Sequence, residues 1–329
     1  MSHLQEKHPV LELIDLDVGF PSAQIVKRVN LRIEEGEKVA LVGESGCGKS
    51  LTAFSILRLL PPGASINGGQ VIFDGQDLAA ISPYQLRRIR GKGIALILQE
   101  PMTSLNPVLP IGQQIAENIL QHEDVTRKQA EERTIELLDM VGIVNARGRY
   151  GMFPHNFSGG MRQRVMIAMA IACDPQLLIA DEPTTALDVT IQAQVMDLLE
   201  DLCSKLNMAM LLITHDLGAV AQWADRIAVM YAGRIVEEAP VGTFFSGPRH
   251  PYSRGLLNSS IGNGWHYSNR RLTEIVGSVQ SAAGETGCSF APRCPIAMHE
   301  CRAAPPELGG TNDEWSVACY RDPLAVAAK

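Results

Sequence analysis

The sequence has no apolar run of the roughly 18 residues that a membrane-spanning helix needs. The longest, VMIAMAIAC at 165–173, is half that length. Nothing in the chain is therefore expected to cross a bilayer by itself. The N-terminal MSHLQEKHPV is polar and lacks the apolar core of a secretory leader, so a soluble intracellular protein is expected. There is no basic excess either: 29 Lys and Arg stand against 36 Asp and Glu, a net charge of −7. That argues against the basic patch on which nucleic-acid binders rely, and no nucleic-acid partner is expected. No internal repeat and no sustained heptad pattern occur, so one copy of one architecture is expected, without a coiled-coil arm. Cysteine is sparse, with seven residues in all. Intracellular thiols stay reduced, so a disulfide framework is not expected. Yet four of the seven, Cys288, Cys294, Cys301 and Cys319, lie beyond residue 287.

What is present is globular: 46% of residues are hydrophobic. Short apolar runs recur at VALVG (39–43), IALILQ (94–99), LLIAD (177–181), MLLITH (210–215) and IAVMYAG (227–233). They do not alternate, which suits strands buried on both faces of a parallel sheet. VIFDGQDL (71–78) carries a DG turn and adds an antiparallel part. Helical spacing lies between the runs. Ile135, Leu138 and Val141 recur every third residue before Gly142, and Val195, Leu199, Leu202 and Leu206 share one face. The order predicts an α/β domain with a mostly parallel sheet. From 259 to 329 the chain is rich in Gly, Pro, Ser and Cys and has little periodicity. Such a segment has a poor apolar core, so another agent must hold it or it stays disordered.

GESGCGKS at 43–50 fits G-x-x-x-x-G-K-[ST], between a strand and a helical pattern. Gly43, Gly46 and Gly48 let the backbone turn its N–H groups toward phosphate oxygens. The helix that follows adds positive charge at its N-terminus. Lys49 would reach the β- and γ-phosphates of a nucleotide, and Ser50 would ligate Mg²⁺. Ser45, Cys47 and Leu51 complete the candidate ATP contacts. A helix N-terminus also lowers a thiol's pKa, so a thiol whose alkylation blocks ATP is one reading of Cys47, and a tolerated small residue is the favoured one. Cys173 and Cys203 sit in helical patterns and are expected to pack. LLIADEP (177–183) ends its strand on Asp181, suited to hold Mg²⁺ indirectly, and on Glu182, suited to take a proton from attacking water. FSGGMRQR (157–164) supplies a further nest of hydroxyl and backbone N–H groups.

With these motifs in this order, residues 10–257 resemble an ABC-transporter nucleotide-binding subunit. The resemblance implies a P-loop NTPase cassette with an antiparallel β subdomain and a helical subdomain at about 100–175. It implies that Gln99 is the Q-loop glutamine, contacting Mg²⁺ and the water. It also implies that Ser158, Gly159, Gly160 and Met161 are the signature loop that completes the ATP site of a partner subunit. Asp188 in TTALD matches the D-loop, His215 the switch histidine at the γ-phosphate, and Phe20 the aromatic that stacks on adenine. Phe157 and Met161 replace the usual Leu and Gln of LSGGQ. QEPMTSLNP (99–107) is similar to the permease-facing segment of the peptide and nickel branch.

The tail motifs HPYSRGLL (250–257), GSV (277–279) and GCSFAPRCPIA (287–297) resemble the C-terminal segment of dipeptide and oligopeptide importer ATPases, with Gln280 where Pro is common. That resemblance implies a [4Fe–4S] cluster on Cys288, Cys294, Cys301 and Cys319. Four thiolates could also hold zinc, though no C-x₂₋₄-C pair is present, or remain metal-free. The implied domains are a cassette at 1–258 and a four-cysteine segment at 259–329. The implied protein is an ATPase that drives dipeptide or oligopeptide import from the cytoplasmic face of the inner membrane. Its implied partners are two membrane permeases, a second ABC ATPase subunit forming a heterodimer, and an extracytoplasmic peptide-binding protein. Nickel, glutathione, opine or antimicrobial-peptide import, and more distantly a soluble ATPase of translation, are the alternatives.

Overall fold

The structure, a computed structural model, describes residues 9–99, 104–185, 188–259, 275–282, 285–312 and 315–321. The chain forms two compact units. One is made from Ile33–Glu37 and Phe73–Leu212 with the first residues. The other is made from Leu11–Arg32, Lys38–Ile72 and Ile213–Lys329.

The second unit holds most of β1 (Pro9–Phe20), β2 (Ala23–Glu34) and β4 (Ser65–Phe73), and all of β3 (Lys38–Val42) and the helix α1 (Lys49–Ile56). β1 lies between β2 and β4, and a two-residue turn at 21–22 joins it to β2, so that pair is antiparallel. In the first unit, Asp74 (φ 46°) and Gly75 (φ 73°) form the turn before β5 (Gln76–Asp77). Two successive positive φ values are the type I′ geometry that the DG pair predicts.

The first unit continues with α2 (Pro83–Ile89), β6 (Ile94–Ile97), α3 (Ile111–His122), α4 (Arg127–Met140), α5 (Ala146–Arg149), α6 (Gly159–Ala170), β7 (Leu177–Asp181) and α7 (Val189–Leu206). β6 pairs in parallel with β7, Ile94 opposite Leu177 through Ile97 opposite Ala180. Every residue of β7 is buried, as its unbroken apolar run predicts. The α4 start is a capping box that the periodicity did not reveal: the Thr126 hydroxyl accepts from the Gln129 N–H while the Gln129 side chain accepts from the Thr126 N–H. Its end follows the pattern, with Leu138 and Val141 fully buried and Gly142 at φ 78°. α3, α4 and α6 pack on one another. Ile115, Leu137, Leu138 and Ile167 are fully buried, each contributing about 1.5–3 kcal/mol.

β8 (Ala209–Thr214) is followed by α8 (Leu217–Trp223), β9 (Arg226–Tyr231), β10 (Arg234–Pro240), α9 (Val241–Ser246) and α10 (Pro251–Ser259). In the second unit β3 runs parallel to β9, and β10 is antiparallel to β9. The tail departs from the expectation of an irregular segment without a core. β11 (Gly309–Asn312) and β12 (Trp315–Val317) form a hairpin, and β12 extends the sheet on β10. Phe290 and Ala282 join a buried cluster with Val42, Val229, Tyr231, Phe244 and Tyr252. The tail therefore borrows the apolar core of its unit. A three-residue strand is too short to show period two in sequence.

Candidate functional site

The phosphate loop grows out of β3. A Cβ at Gly43 would stand 2.2 Å from the Met230 carbonyl oxygen, so only glycine fits where the loop leaves the sheet. Gly48 caps α1 at φ 112°, in the left-handed region that favours glycine. Lys49 is 6% exposed, and its ammonium donates to the carbonyls of Gly43 (2.8 Å) and Glu44 (3.1 Å). The Lys side chain therefore curls over the loop whose N–H groups the motif dedicates to phosphate. Ser45, Gly46 and Ser50 are exposed and Leu51 is half-buried. Cys47 is placed as a small packed residue, in line with its favoured reading. It is 1% exposed, and burial pushes its thiol up, against the smaller lowering effect of Lys49. Desolvation, the largest effect, disfavours the thiolate.

In the first unit, β7 delivers Asp181, 4% exposed, at its last position. Glu182 follows at φ 46°, a strained conformation for a non-glycine residue. Its Oε2 accepts from Gln99 Nε2 at 2.9 Å and from Thr185 Oγ1 at 3.0 Å. The glutamine and glutamate named from separate motifs are thus in direct contact. Two amides that the sequence reading did not single out hold the next turn: Gln163 Nε2 donates to the Pro183 carbonyl at 2.6 Å and Gln192 Nε2 to the Thr184 carbonyl at 3.1 Å. Gln163 lies in FSGGMRQR, five residues after Ser158, but nothing in its spacing marks it as buried.

Ser158 is the N-cap of α6, its hydroxyl accepting from the Met161 N–H, with Gly159 and Gly160 in the first turn. A Cβ on Gly160 would come within 2.8 Å of Ile191 Cγ2, which explains the second glycine by packing. Phe157 is 3% exposed, so its departure from Leu is a core substitution. Arg149 Nη1 lies 3.6 Å from the Met161 sulfur. Asp188 caps α7, accepting from the Ile191 N–H at 3.0 Å. In the second unit, His215 is exposed just after β8, beside Asp216, which caps α8. Phe20 is half-buried at the end of β1. Of QEPMTSLNP, residues 100–103 lie outside the described residues, as do Ala186 and Leu187 of TTALD, the N-terminal 1–8, and 260–274, 283–284, 313–314 and 322–329 of the tail.

The four tail cysteines line one small cavity with His250, Phe290, Ile296 and Pro306. Backbone bonds tie them together: the Cys288 N–H donates to the Cys301 carbonyl at 2.7 Å, and the Cys294 N–H to Ala291. Burial pushes the Cys288 thiol up to about 11 and raises Cys294 and Cys319, with the neighbouring thiols adding in the same direction. Among the described residues, no group of three or more His, Cys, Asp or Glu is placed to hold a metal ion. The four residues line one space, and among the described residues they do not form a coordination shell. Their chemistry fits an iron–sulfur cluster or zinc.

Glu237 was missed entirely by the sequence reading. It is fully buried in β10 and accepts from the N–H groups of Arg249 (2.7 Å) and His250 (2.9 Å) and from the Trp315 indole (3.0 Å). One carboxylate thus joins the HPY turn to the tail hairpin. Only the fold brings positions 237, 250 and 315 together.

A glycine-rich loop between a buried parallel strand and a helix, with an amide-held glutamate at another strand end, defines a nucleotide-binding cassette. A family model described as ABC transporter matches residues 26–185. A second, for the C-terminal region of oligopeptide/dipeptide transporters, matches 236–301. A probable peptide ABC transporter ATP-binding protein of Sinorhizobium fredii is 50% identical, with 95% of both chains covered. The oligopeptide transport ATP-binding protein AppD of Bacillus subtilis is 49% identical over 90% of both chains. Among solved structures, a dimeric ATP-binding cassette, MJ0796, bound to ADP and Pi in a post-hydrolysis state is 27% identical. Its TM-score is 0.62, and the match covers 70% of this chain and 98% of that one. The chain belongs to the ABC transporter ATPases, within the group of peptide-transport ATP-binding subunits. No helix among the described residues is long and apolar enough to cross a membrane.

Proposed function

We propose that this chain binds and hydrolyses ATP to drive import of dipeptides or oligopeptides. It would act on the cytoplasmic face of the inner membrane with two permeases, a second ATPase subunit as heterodimer partner, and an extracytoplasmic peptide-binding protein. The reading divides the chain into a cassette at 1–258, with a helical subdomain near 100–175, and a four-cysteine segment at 259–329. The observation that carries the hydrolytic reading is the 2.9 Å contact between Gln99 Nε2 and Glu182 Oε2. A carboxylate positioned this way beside the glutamine is suited to take a proton from water.

In the proposed reaction, Gly43, Ser45, Gly46, Cys47, Gly48 and Leu51 bind the phosphates through the loop backbone, and Lys49 adds a positive charge. Phe20 stacks on the adenine. Gln99 orients a water and Glu182 accepts its proton as the water oxygen bonds to the γ-phosphorus. The bond from that phosphorus to the β–γ bridging oxygen breaks, giving ADP and phosphate. His215 donates to the γ-phosphate oxygen. Ser50, Asp181 and Gln99 would hold Mg²⁺, which neutralises developing phosphate charge. Ser158, Gly159, Gly160 and Met161 serve the ATP of the partner subunit, with Asp188 at the same interface. Cys288, Cys294, Cys301 and Cys319 would hold a [4Fe–4S] cluster, or zinc in its place, as a structural brace for the tail. Support for peptides as cargo is the set of tail motifs shared with the oligopeptide/dipeptide family. The test is uptake of labelled di- and oligopeptides in cells whose gene for this chain is deleted, then complemented with wild type or Lys49→Ala. Restored uptake with wild type alone is expected. Peptide uptake unchanged by the deletion would overturn the cargo.

A further inference from the structure

The phosphate loop contains one acidic residue, Glu44. A carboxylate there opposes binding of a polyphosphate by like-charge repulsion. Two residues of the second unit hold Glu44, and neither belongs to the phosphate motif. The Tyr252 hydroxyl accepts from the Glu44 N–H at 2.8 Å. The Arg293 guanidinium grips the carboxylate with both ends, Nη1 to Oε2 at 2.7 Å and Nη2 to Oε1 at 3.0 Å. Two parallel bonds of this kind are the strongest geometry an ion pair adopts.

Arg293 is itself over-determined. Its side chain is 3% exposed. It donates to the carbonyls of Ile275 (3.0 Å), Val276 (2.9 Å) and Gly277 (3.2 Å) and lies 5.7 Å over the Tyr231 ring. Its neighbour Phe290 packs edge-on against Tyr231 at 5.2 Å and beside Tyr252 at 5.4 Å. The arginine stands inside the PRCP element, so the four-cysteine segment delivers it to the loop. Glu44 in turn is part of the lysine's cradle, because its carbonyl accepts from Lys49 Nζ.

We infer that Arg293 is a positioning residue for ATP binding: it neutralises Glu44 and fixes its orientation, which makes the C-terminal segment a working part of the phosphate loop. This rests on reading residues 43–50 as the phosphate site. It also gives the tail a role in nucleotide affinity, whatever its cysteines hold.

The test measures affinity of the purified full chain for Mg·ATP and a fluorescent ATP analogue, alongside thermal melting. Arg293→Met strands the Glu44 charge, and affinity should fall about ten-fold. Glu44→Gln alone should change it less than three-fold, because the repelling charge goes with its partner. Arg293→Met combined with Glu44→Gln should recover to within about three-fold of wild type. Arg293→Lys keeps the charge and should fall between. A merely structural arginine predicts something else: the double variant binds as weakly as Arg293→Met, and affinity follows melting temperature. That result overturns the inference, as does wild-type affinity in folded Arg293→Met. If Arg293→Met does not fold, Arg293→Lys decides, since unchanged affinity there with the bidentate grip lost is equally fatal. Lys49→Ala separates the two readings. If it binds ATP like wild type, the phosphate-site assignment is wrong. If it loses ATP while Arg293→Met does not, only the role of Arg293 fails.

Discussion

Replacing Glu182 by Gln is the sharpest perturbation of the proposed chemistry. The substitution keeps the shape of the side chain and removes its charge and its capacity to take a proton. At present Oε2 accepts two hydrogen bonds, from Gln99 at 2.9 Å and Thr185 at 3.0 Å. An amide oxygen at that place can still accept both. If the amide turns the other way, its NH₂ faces the Gln99 NH₂, and the Gln99 amide must rotate so that its oxygen accepts. The backbone strain at φ 46° is the same in both proteins, so folding should be nearly unaffected. A positioned general base contributes roughly 10²–10⁴-fold, or about 3–5 kcal/mol of barrier. Phosphate release at saturating ATP should therefore fall by at least about 100-fold. ATP affinity should stay within about three-fold, because Lys49 and the loop are untouched. Glu182→Asp withdraws the carboxylate by one methylene and should lose an intermediate amount. Turnover of Glu182→Gln within three-fold of wild type would show that another group takes the proton.

Three further outcomes follow from the geometry. Tyr252→Phe removes the hydroxyl that accepts from the Glu44 N–H at 2.8 Å, and should lower stability by about 1–3 kcal/mol in urea melts; an unchanged midpoint would mean that water replaces the bond. Cys47 should resist iodoacetamide at pH 8 in the native protein, since burial raises its thiol, and should react only after denaturation; rapid native labelling that blocks ATP would restore the activated-thiol reading. His250 is buried, its Nδ1 accepting from the Tyr252 N–H, and burial lowers its pKa from 6.5 to about 3. The unfolded chain then binds a proton that the folded chain refuses, so the stabilisation is full above about pH 6.5 and is lost as pH falls toward 3. The full span is about 5 kcal/mol. His250→Gln should flatten the stability profile between pH 6.5 and 4, and an unaltered profile would discount the buried imidazole.

Much of the first-level chemistry was legible because it is local. The phosphate loop requires glycines, lysine and serine at fixed steps between a strand and a helix, and all lie within eight residues. The buried strands declared themselves by unbroken apolar runs, and α7 by the spacing of Val195, Leu199 and Leu202, all at most 1% exposed. Family resemblance assigned a role to Gln99, and a strand-end position one to Glu182, but their contact spans 83 positions and no pattern encodes it. The two readings of Cys47 were separable only in three dimensions for a related reason: motif position reports the helix terminus, whereas burial depends on what packs over the thiol.

The sequence by itself determined the class of the cassette, the phosphate loop, the strand-end carboxylates and the existence of a cysteine-rich tail. Each is written in consecutive residues, where covalent spacing sets geometry. Only the tertiary structure decided what the tail packs against. Arg293 meets Glu44 across 249 positions, and Glu237 meets Trp315 across 78. Such partners are chosen by chain topology and by the requirement that a buried charge find its counter-group, and neither leaves a mark on the residues between them.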